Sequence, residues 1–357
     1  MLTRLSFALI WKTALLLAIG AGGGWSALHL GLPLPWMIGG LSVSAALVLM
    51  PWRLPVLDGY SFPMGLRTLF VTLIGVMIGT QVTPDLLSLA GKLPLTMGFL
   101  FVFVLVAHAG NFAIFQWLGG YDRATAFYAG TPGGLMESIM MGEASGADIR
   151  ALTTQQFLRI IVVITVLPLG LSLWLGEAVG SASGAVLPGG DVPVSLPSLA
   201  LIVITGGLGL GLGRLVKLPA AQLTGPLLLA GGATVTGLVD LHLPVWLIAA
   251  AQLVIGVSLG LRFKGVTGRM LRNSLGLAVV SVVYMLAVGA AMAWVLTQLT
   301  GIAFLHLLIS FAPGGVAEMS IVALSLAANP ALVSLHHVAR ILMTVVEMSL
   351  LGRWLRP

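Results

Sequence analysis

Two glutamates and two arginines recur at matched places in a chain that is only 8% charged. Glu137 closes the run Pro132-Gly133-Gly134-Leu135-Met136-Glu137, and Glu318 closes Pro313-Gly314-Gly315-Val316-Ala317-Glu318. Without a gap, Gln155-Gln156-Phe157-Leu158-Arg159 then aligns with His336-His337-Val338-Ala339-Arg340. A carboxylate in an apolar setting must be protonated, paired or hydrated. Three chemistries are open to this set. The glutamates could carry a proton or cation. They could form static pairs with Arg159 and Arg340. Or the arginines, whose planar fork suits carboxylates and phosphates, could bind an anionic solute while the glutamates carry protons.

The Pro-Gly-Gly runs add a backbone argument. Proline removes a donor and glycine opens conformations that break a helix. Broken helix in a bilayer is tolerated only where it is buried in protein or lines a cavity. Freed amides and helix ends at such a break can hold an ion or polar solute. Pro132, Gly133, Gly134, Glu137, Arg159, Pro313, Gly314, Gly315, Glu318 and Arg340 are therefore the expected substrate- or ion-binding set. Glu347 lies seven residues past Arg340, about two turns along one helix face. It has no acidic counterpart in the first half and reads as a pairing residue or a source of asymmetry. His336 and His337 point about 100° apart on a helix and are poor co-ligands for one metal. A polar role at the helix start fits them better.

The elements that must position these residues are set by composition. The chain of 357 residues is 58% hydrophobic, whereas soluble domains carry about 25% charged residues. Lipid has to be the main solvent. The longest polar-leaning stretch, 177–197, is too short for a soluble domain, so any transport runs without a nucleotide-hydrolysing module on this chain. Cysteine is absent, which excludes disulfides, thiolate metal sites and a cysteine nucleophile. The net charge of +6 is explained by Lys and Arg in cytoplasmic loops and does not call for nucleic acid. The apolar run after Arg4 and Lys12 resembles a signal peptide, but as the first element of the first repeat it reads as a retained helix.

Crossing a bilayer takes about 20 apolar residues. Spans are expected near 13–30, 34–51, 65–83, 93–118 and 152–176, then near 198–214, 222–240, 244–262, 274–298 and 333–352. Each half leaves one Pro-Gly-Gly segment over, at 122–147 and 303–329. Arg4, Lys12, Arg53, Arg67, Arg123 and Arg150 mark one side as cytoplasmic, as do Arg214, Lys217, Arg262, Lys264, Arg269, Arg272, Arg353 and Arg356. Lys92 fits less well and must snorkel. This distribution favours ten spans with two re-entrant segments. The expected fold is an all-α polytopic membrane protein of two inverted repeats of about five transmembrane helices, each with a Pro-Gly-Gly re-entrant or broken helix. The expected divisions are a first membrane repeat over 1–176, a periplasmic linker over 177–197 and a second repeat over 198–357, with both termini cytoplasmic. Gly75-Val76-Met77-Ile78-Gly79 and Gly256-Val257-Ser258-Leu259-Gly260 are small-xxx-small patterns for close helix packing. The repeated Leu32-Pro33…Gly39-Gly40 and Leu218-Pro219…Gly225-Pro226 accompany them.

The Pro-Gly-Gly-x-x-Glu motifs, the Gly-Val-x-x-Gly spans and the duplicated layout resemble the bacterial membrane AbrB duplication family over nearly the whole chain. Its members carry names of AbrB regulators or of ammonia monooxygenases. It is distinct from the small soluble DNA-binding AbrB regulators, whose basic, strand-rich module has no counterpart here. The resemblance implies a bacterial inner-membrane protein linked to regulation of gene expression, and supplies no catalytic residues. The layout is also similar to secondary transporters with five-span inverted repeats, in architecture alone. The expected function is a secondary transporter or exporter of a small solute, an anion if the arginines bind it, coupled to ions through intramembrane glutamate. The alternative is a membrane regulator acting through a partner or a metabolite level. A metal monooxygenase needs clustered ligands, and His29, His108, His242, His306, His336 and His337 form no convincing set. No enzymatic activity and no cofactor are expected. The expected partners are the bilayer, a small-molecule or ion substrate and a second copy in a homodimer, without direct binding of nucleic acid.

Overall fold

In hydrocarbon a helix satisfies its own amides, and all regular structure among the described residues is helical. The computed structural model describes residues 7–50, 54–82, 88–176, 196–238, 246–264, 266–326 and 328–352. Arg4, Arg53, the expected linker up to residue 195, His242, Arg353 and Arg356 lie outside the described residues. The first half holds α1 (Phe7–His29), α2 (Pro35–Leu49), α3 (Met64–Thr80), α4 (Leu93–Ala113), α5 (Arg123–Ala129), α6 (Leu135–Ala144) and α7 (Ile149–Leu175). The second repeats that order with α8 (Leu196–Leu215), α9 (Ala221–Val235), α10 (Trp246–Gly260), α11 (Gly268–Thr300), α12 (Phe304–Phe311), α13 (Val316–Ser325) and α14 (Pro330–Leu351).

Six stretches are long and apolar enough to cross a membrane: Phe7–His29, Leu89–Leu118, Ile149–Leu175, Trp246–Phe263, Gly268–Thr300 and Pro330–Leu351. These are the dimensions of a multi-pass membrane protein. The expected spans at 34–51, 65–83 and 222–240 form helices of 15, 17 and 15 residues, and 198–214 gives an apolar helix over Leu199–Leu215. At 1.5 Å per residue a 15-residue helix is about 22 Å long, short of the roughly 30 Å hydrocarbon core. Exposed apolar side chains cover the longer helices, and exposed Trp11, Trp25, Trp117, Trp174, Trp246 and Trp294 all lie near helix ends, as in the aromatic belts of membrane proteins.

Packing follows the repeat. Helix α2 lies on α10 as α9 lies on α3; α1 covers α2 as α8 covers α9; α11 packs on α7 as α4 packs on α14. Helix α4 packs directly on its counterpart α11, and α3 on α10. Glycine permits the closest of these contacts. A Cβ at Gly79 would stand 2.5 Å from Ala230 Cβ and 2.7 Å from Leu227 O, and one at Gly260 would stand 2.5 Å from Leu41 O. Gly75 faces Leu223 and Pro226 while Gly79 faces Ala230, so α3 and α9 run in the same direction. Gly209 meets Pro226 and Gly213 meets Ala221, so α8 and α9 run in opposite directions.

Two lysines fix a common level at one end of the bundle. Lys12 Nζ donates to Asp58 O at 3.0 Å, and Lys264 Nζ donates to Leu57 O at 2.8 Å and Tyr60 O at 3.0 Å. The start of α1, the α2–α3 connection and the end of α10 meet there. Helices α5 and α6 form a hairpin around Pro132-Gly133-Gly134. Its two ends are tied together: Asp148 N donates to Thr125 Oγ1 at 2.7 Å, and the Tyr128 and Ser145 hydroxyls are 3.0 Å apart.

Candidate functional site

Each Pro-Gly-Gly break strands carbonyls at the end of the helix before it. In the first repeat α7 answers them: Gln156 Nε2 donates to Tyr128 O at 2.9 Å, and the Arg159 guanidinium donates to Thr131 O. In the second repeat α14 does the same: His337 Nε2 lies 3.0 Å from Ile309 O, and Arg340 donates to Ala312 O. These carbonyls occupy the same repeat positions. The i, i+3 spacing of Gln156–Arg159 and His337–Arg340 puts both partners on one helix face, which explains why both halves carry a polar pair followed by arginine. The supporting helices start alike, with Asp148 Oδ1 capping α7 and Asn329 Oδ1 capping α14. Asp122 caps α5 and accepts the Thr125 hydroxyl at 2.5 Å. Burial acts to raise its pKa, but hydrogen bonds from the Thr125 side chain and the amides of Thr125 and Ala124 outweigh it and hold the carboxyl below its usual range.

The arginines do not pair with the glutamates. Among the described residues Arg159 makes one hydrogen bond and leaves a buried Nε unpartnered. Arg340 also reaches Gly314 O at 2.6 Å and His337 Nδ1 at 2.7 Å, again with Nε unpartnered. The two guanidiniums are within electrostatic range of each other, and a Cβ at Gly133 would stand 3.6 Å from Arg340 Nε. The tip of the first hairpin thus adjoins the arginine of the second repeat. His336 and His337 lie fully buried within α14 and not at a polar helix start. Gln155 and His336 differ in their bonds: Gln155 donates to the Tyr121 hydroxyl at 3.0 Å, while His336 Nδ1 is 2.9 Å from Leu332 O in its own helix.

The glutamates occupy the first turns of α6 and α13, where a helix dipole favours negative charge. Their surroundings differ. Glu318 is 3% exposed and accepts a bond of 3.1 Å from Arg67 Nη2 on α3. Glu137 is half-buried and has no ion pair among the described residues. The repeat offset places Ile248 where Glu137 would need an arginine. Helix α13 packs on α3 and α10, whereas α6 packs on α5, α7 and α14. Gly134 adopts a left-handed φ of 64°, while Gly315 is extended at −78°. Arg67 was legible as a loop-flanking cation; its partner lies 251 residues away.

A second buried pair was not legible as a pair. Glu347 Oε1 on α14 lies 3.0 Å from His108 Nδ1 on α4, and His108 Nε2 lies 2.8 Å from Phe127 O on α5. Two polar side chains alone in separate apolar spans were the available signal. At the level marked by Lys264, a cavity of about 470 Å³ opens between α7 and the α10–α11 connection, lined by Arg150, Thr153, Phe157, Arg262 and Lys264 among others. Arg262 sits over the Phe157 ring at 5.1 Å and within electrostatic range of Arg67 and Glu318. Among the described residues no three His, Asp or Glu side chains gather as a metal site.

The family model described as "Transition state regulatory protein AbrB" matches residues 54–356. The chain is 30% identical over 268 residues to "Putative regulator AbrB" of Escherichia coli (strain K12), covering 73% of this chain and 74% of that one. It is 24% identical over 352 residues to "Uncharacterized protein YhjN" of Bacillus subtilis (strain 168), covering 92% and 89%.

Proposed function

The chain belongs to the AbrB family, and from that premise we propose that it is a secondary transporter of a small anion, working by alternating access and coupled to protons through Glu318 and Glu137. The observation that carries this reading is the pair of arginine cradles. Arg159 and Arg340 come from opposite repeats, lie within electrostatic range of each other, form no ion pair among the described residues and each retain an unpartnered buried Nε. A buried charge of this kind is costly unless paired, and a small anion between the hairpin tips would pair both. The basic cavity at Arg150, Arg262 and Lys264 offers that anion an entrance. Protonation of Glu318 would release Arg67, so anion and proton would bind together.

Inversion of the repeats is supported by helix direction. Helix α1 begins at the level fixed by Lys12 and Lys264, and α3 begins there too. Helix α9 runs with α3 and α8 runs against it, so α8 begins at the opposite level. Arg150, Arg262, Lys264, Arg269 and Arg272 cluster at the first level, which the positive-inside rule makes cytoplasmic. The tied ends of the α5–α6 hairpin support a segment that enters and leaves on one side. In this reading the chain has ten spans and two re-entrant hairpins in a bacterial inner membrane.

The test begins with binding. Purified protein is heated with inorganic phosphate, sulfate and short mono- and dicarboxylates in turn. An anion at about a hundredfold excess over its Kd stabilises by about 2.7 kcal/mol. At least one should stabilise the wild type, fail to stabilise Arg159→Gln, and enter proteoliposomes faster with an inward proton gradient. Equal stabilisation of wild type and Arg159→Gln would remove the cradle from the mechanism. The family's names favour a second reading, regulation of gene expression, which this protein would exert through the level of the metabolite it moves or through a partner. Loss of a regulatory phenotype in transport-dead variants favours the metabolite route.

A further inference from the structure

His108 and Glu347 are the buried titratable pair that the anion cradle leaves unused. Their side chains are 3% and 5% exposed. The repeat offset places Gly289 opposite His108 and Val166 opposite Glu347, so the duplicated half has no such pair. The hydrogen-bond geometry constrains its protons. Phe127 O can only accept, so Nε2 of His108 must carry hydrogen. Nδ1 then faces Glu347 Oε1 at 3.0 Å, and that contact is a hydrogen bond only if one proton lies between them, on either atom. Glu347 Oε2 is buried and has no partner, so among the described residues no other donor relieves this carboxylate.

We propose that His108 and Glu347 form a proton-binding site that latches the first Pro-Gly-Gly hairpin. With the proton bound, both contacts hold and Phe127 O, at the end of α5, is tied to α4 and α14. Loss of the proton leaves one N–H on the imidazole for two acceptors. The hydrogen then serves Glu347 or Phe127, and a neutral imidazole facing a buried carboxylate gives it to the carboxylate. The ring's lone pair faces Phe127 O, and the hairpin loses this tie while those from Asn111, Gln156 and Arg159 remain. The next residue repeats the connection, since Met348 Sδ lies 3.5 Å from the hydroxyl of Ser138 on α6.

The other ionisable groups on the surrounding elements do not bond to the pair. On α14 these are His336, His337 and Arg340, and on α7 Arg159 serves Thr131 O. Tyr128 on α5 bonds to Ser145, and Tyr284 on α11 donates to Val106 O. Arg123 begins α5, Glu137 and Glu143 lie on α6, Arg269 and Arg272 lie near the start of α11, and His306 is on α12. None lies within hydrogen-bond distance of His108 or Glu347 among the described residues.

Hydrogen exchange of the full chain in nanodiscs tests the latch without any substrate, so its failure is separate from failure of the transport reading. After correction for intrinsic exchange, deuterium uptake over residues 123–148 should rise about tenfold in the wild type between about pH 5 and about pH 9. Glu347→Gln keeps the shape and lets an amide N–H donate to Nδ1, so its uptake should stay low and flat with pH. His108→Phe should exchange fast at every pH. A flat wild-type profile overturns the proposal, as does a Glu347→Gln profile that titrates like the wild type. Because Glu347→Gln is isosteric, the test stands even if His108→Phe does not fold.

Discussion

Removing one member of a buried ion pair leaves the other unsolvated, which costs about 3–5 kcal/mol. Arg67 and Glu318 meet that condition, with side chains 13% and 5% exposed. Glu318→Gln or Arg67→Met alone should therefore destabilise the protein by about that amount. The double variant should recover much of the loss, because it leaves no orphaned charge. Denaturant unfolding of the four proteins in one detergent measures the coupling, and strictly additive losses would show that the pair does not act as a unit. Sequence made Glu318 visible through its repeat, and Arg67 only as a cation beside a loop. It could not join them across 251 residues, since pairing depends on how α13 docks against α3. The same limit hid His108 and Glu347. Their need for a partner was readable from apolar flanks, the partner's identity was not. Arg159 and Arg340 were singled out through the repeat, but their backbone-carbonyl partners leave no mark in side-chain chemistry.

At the scale of elements, the break in each hairpin and the polar face that answers it form one device. Stranded carbonyls must be satisfied in a bilayer, and the i, i+3 polar residues of α7 and α14 do so. The apolar lengths made most helices legible, including the positions of α4, α7, α11 and α14. Helices α2, α3 and α9 are shorter than the segments expected there, because apolar length in sequence does not show where a helix ends. Their packing is set by glycine. A Cβ at Gly260 would lie 2.5 Å from Leu41 O and 2.7 Å from Ala45 N, and backbone cannot yield as a side chain can. Gly260→Ala should cost about 1–3 kcal/mol by overpacking. Gly276→Ala, where nothing lies within 4 Å, should instead be neutral or slightly stabilising through helix propensity. Thermal unfolding of the two variants beside the wild type separates these outcomes; equal melting would mean that α2 and α10 can part without loss.

For the whole molecule, the informative fact is where the two halves stop matching. Helix α13 is docked on α3 and α10 and Glu318 is paired with Arg67, while α6 packs on α5, α7 and α14 and Glu137 has no ion pair among the described residues. Under the proposed alternating access, the second state would exchange the roles of the two hairpins. The repeat offset names its contact: residue 137 should approach residue 248, as 318 approaches 67 here. Native cysteine is absent, so paired cysteines report without background. Cysteines replacing Arg67 and Glu318 should cross-link readily in membranes. Cysteines replacing Glu137 and Ile248 should cross-link slowly in an otherwise wild-type chain. Adding Glu318→Gln, which weakens the lock on the docked hairpin, should accelerate that second cross-link, because a ligand or mutation shifts a two-state equilibrium only through its differential effect on the two states. If the 137–248 pair never joins with reagents of any length while 67–318 joins at once, the asymmetry is permanent. The second hairpin would then be a fixed part of the scaffold, and alternating access by exchange of the two hairpins would have to be abandoned.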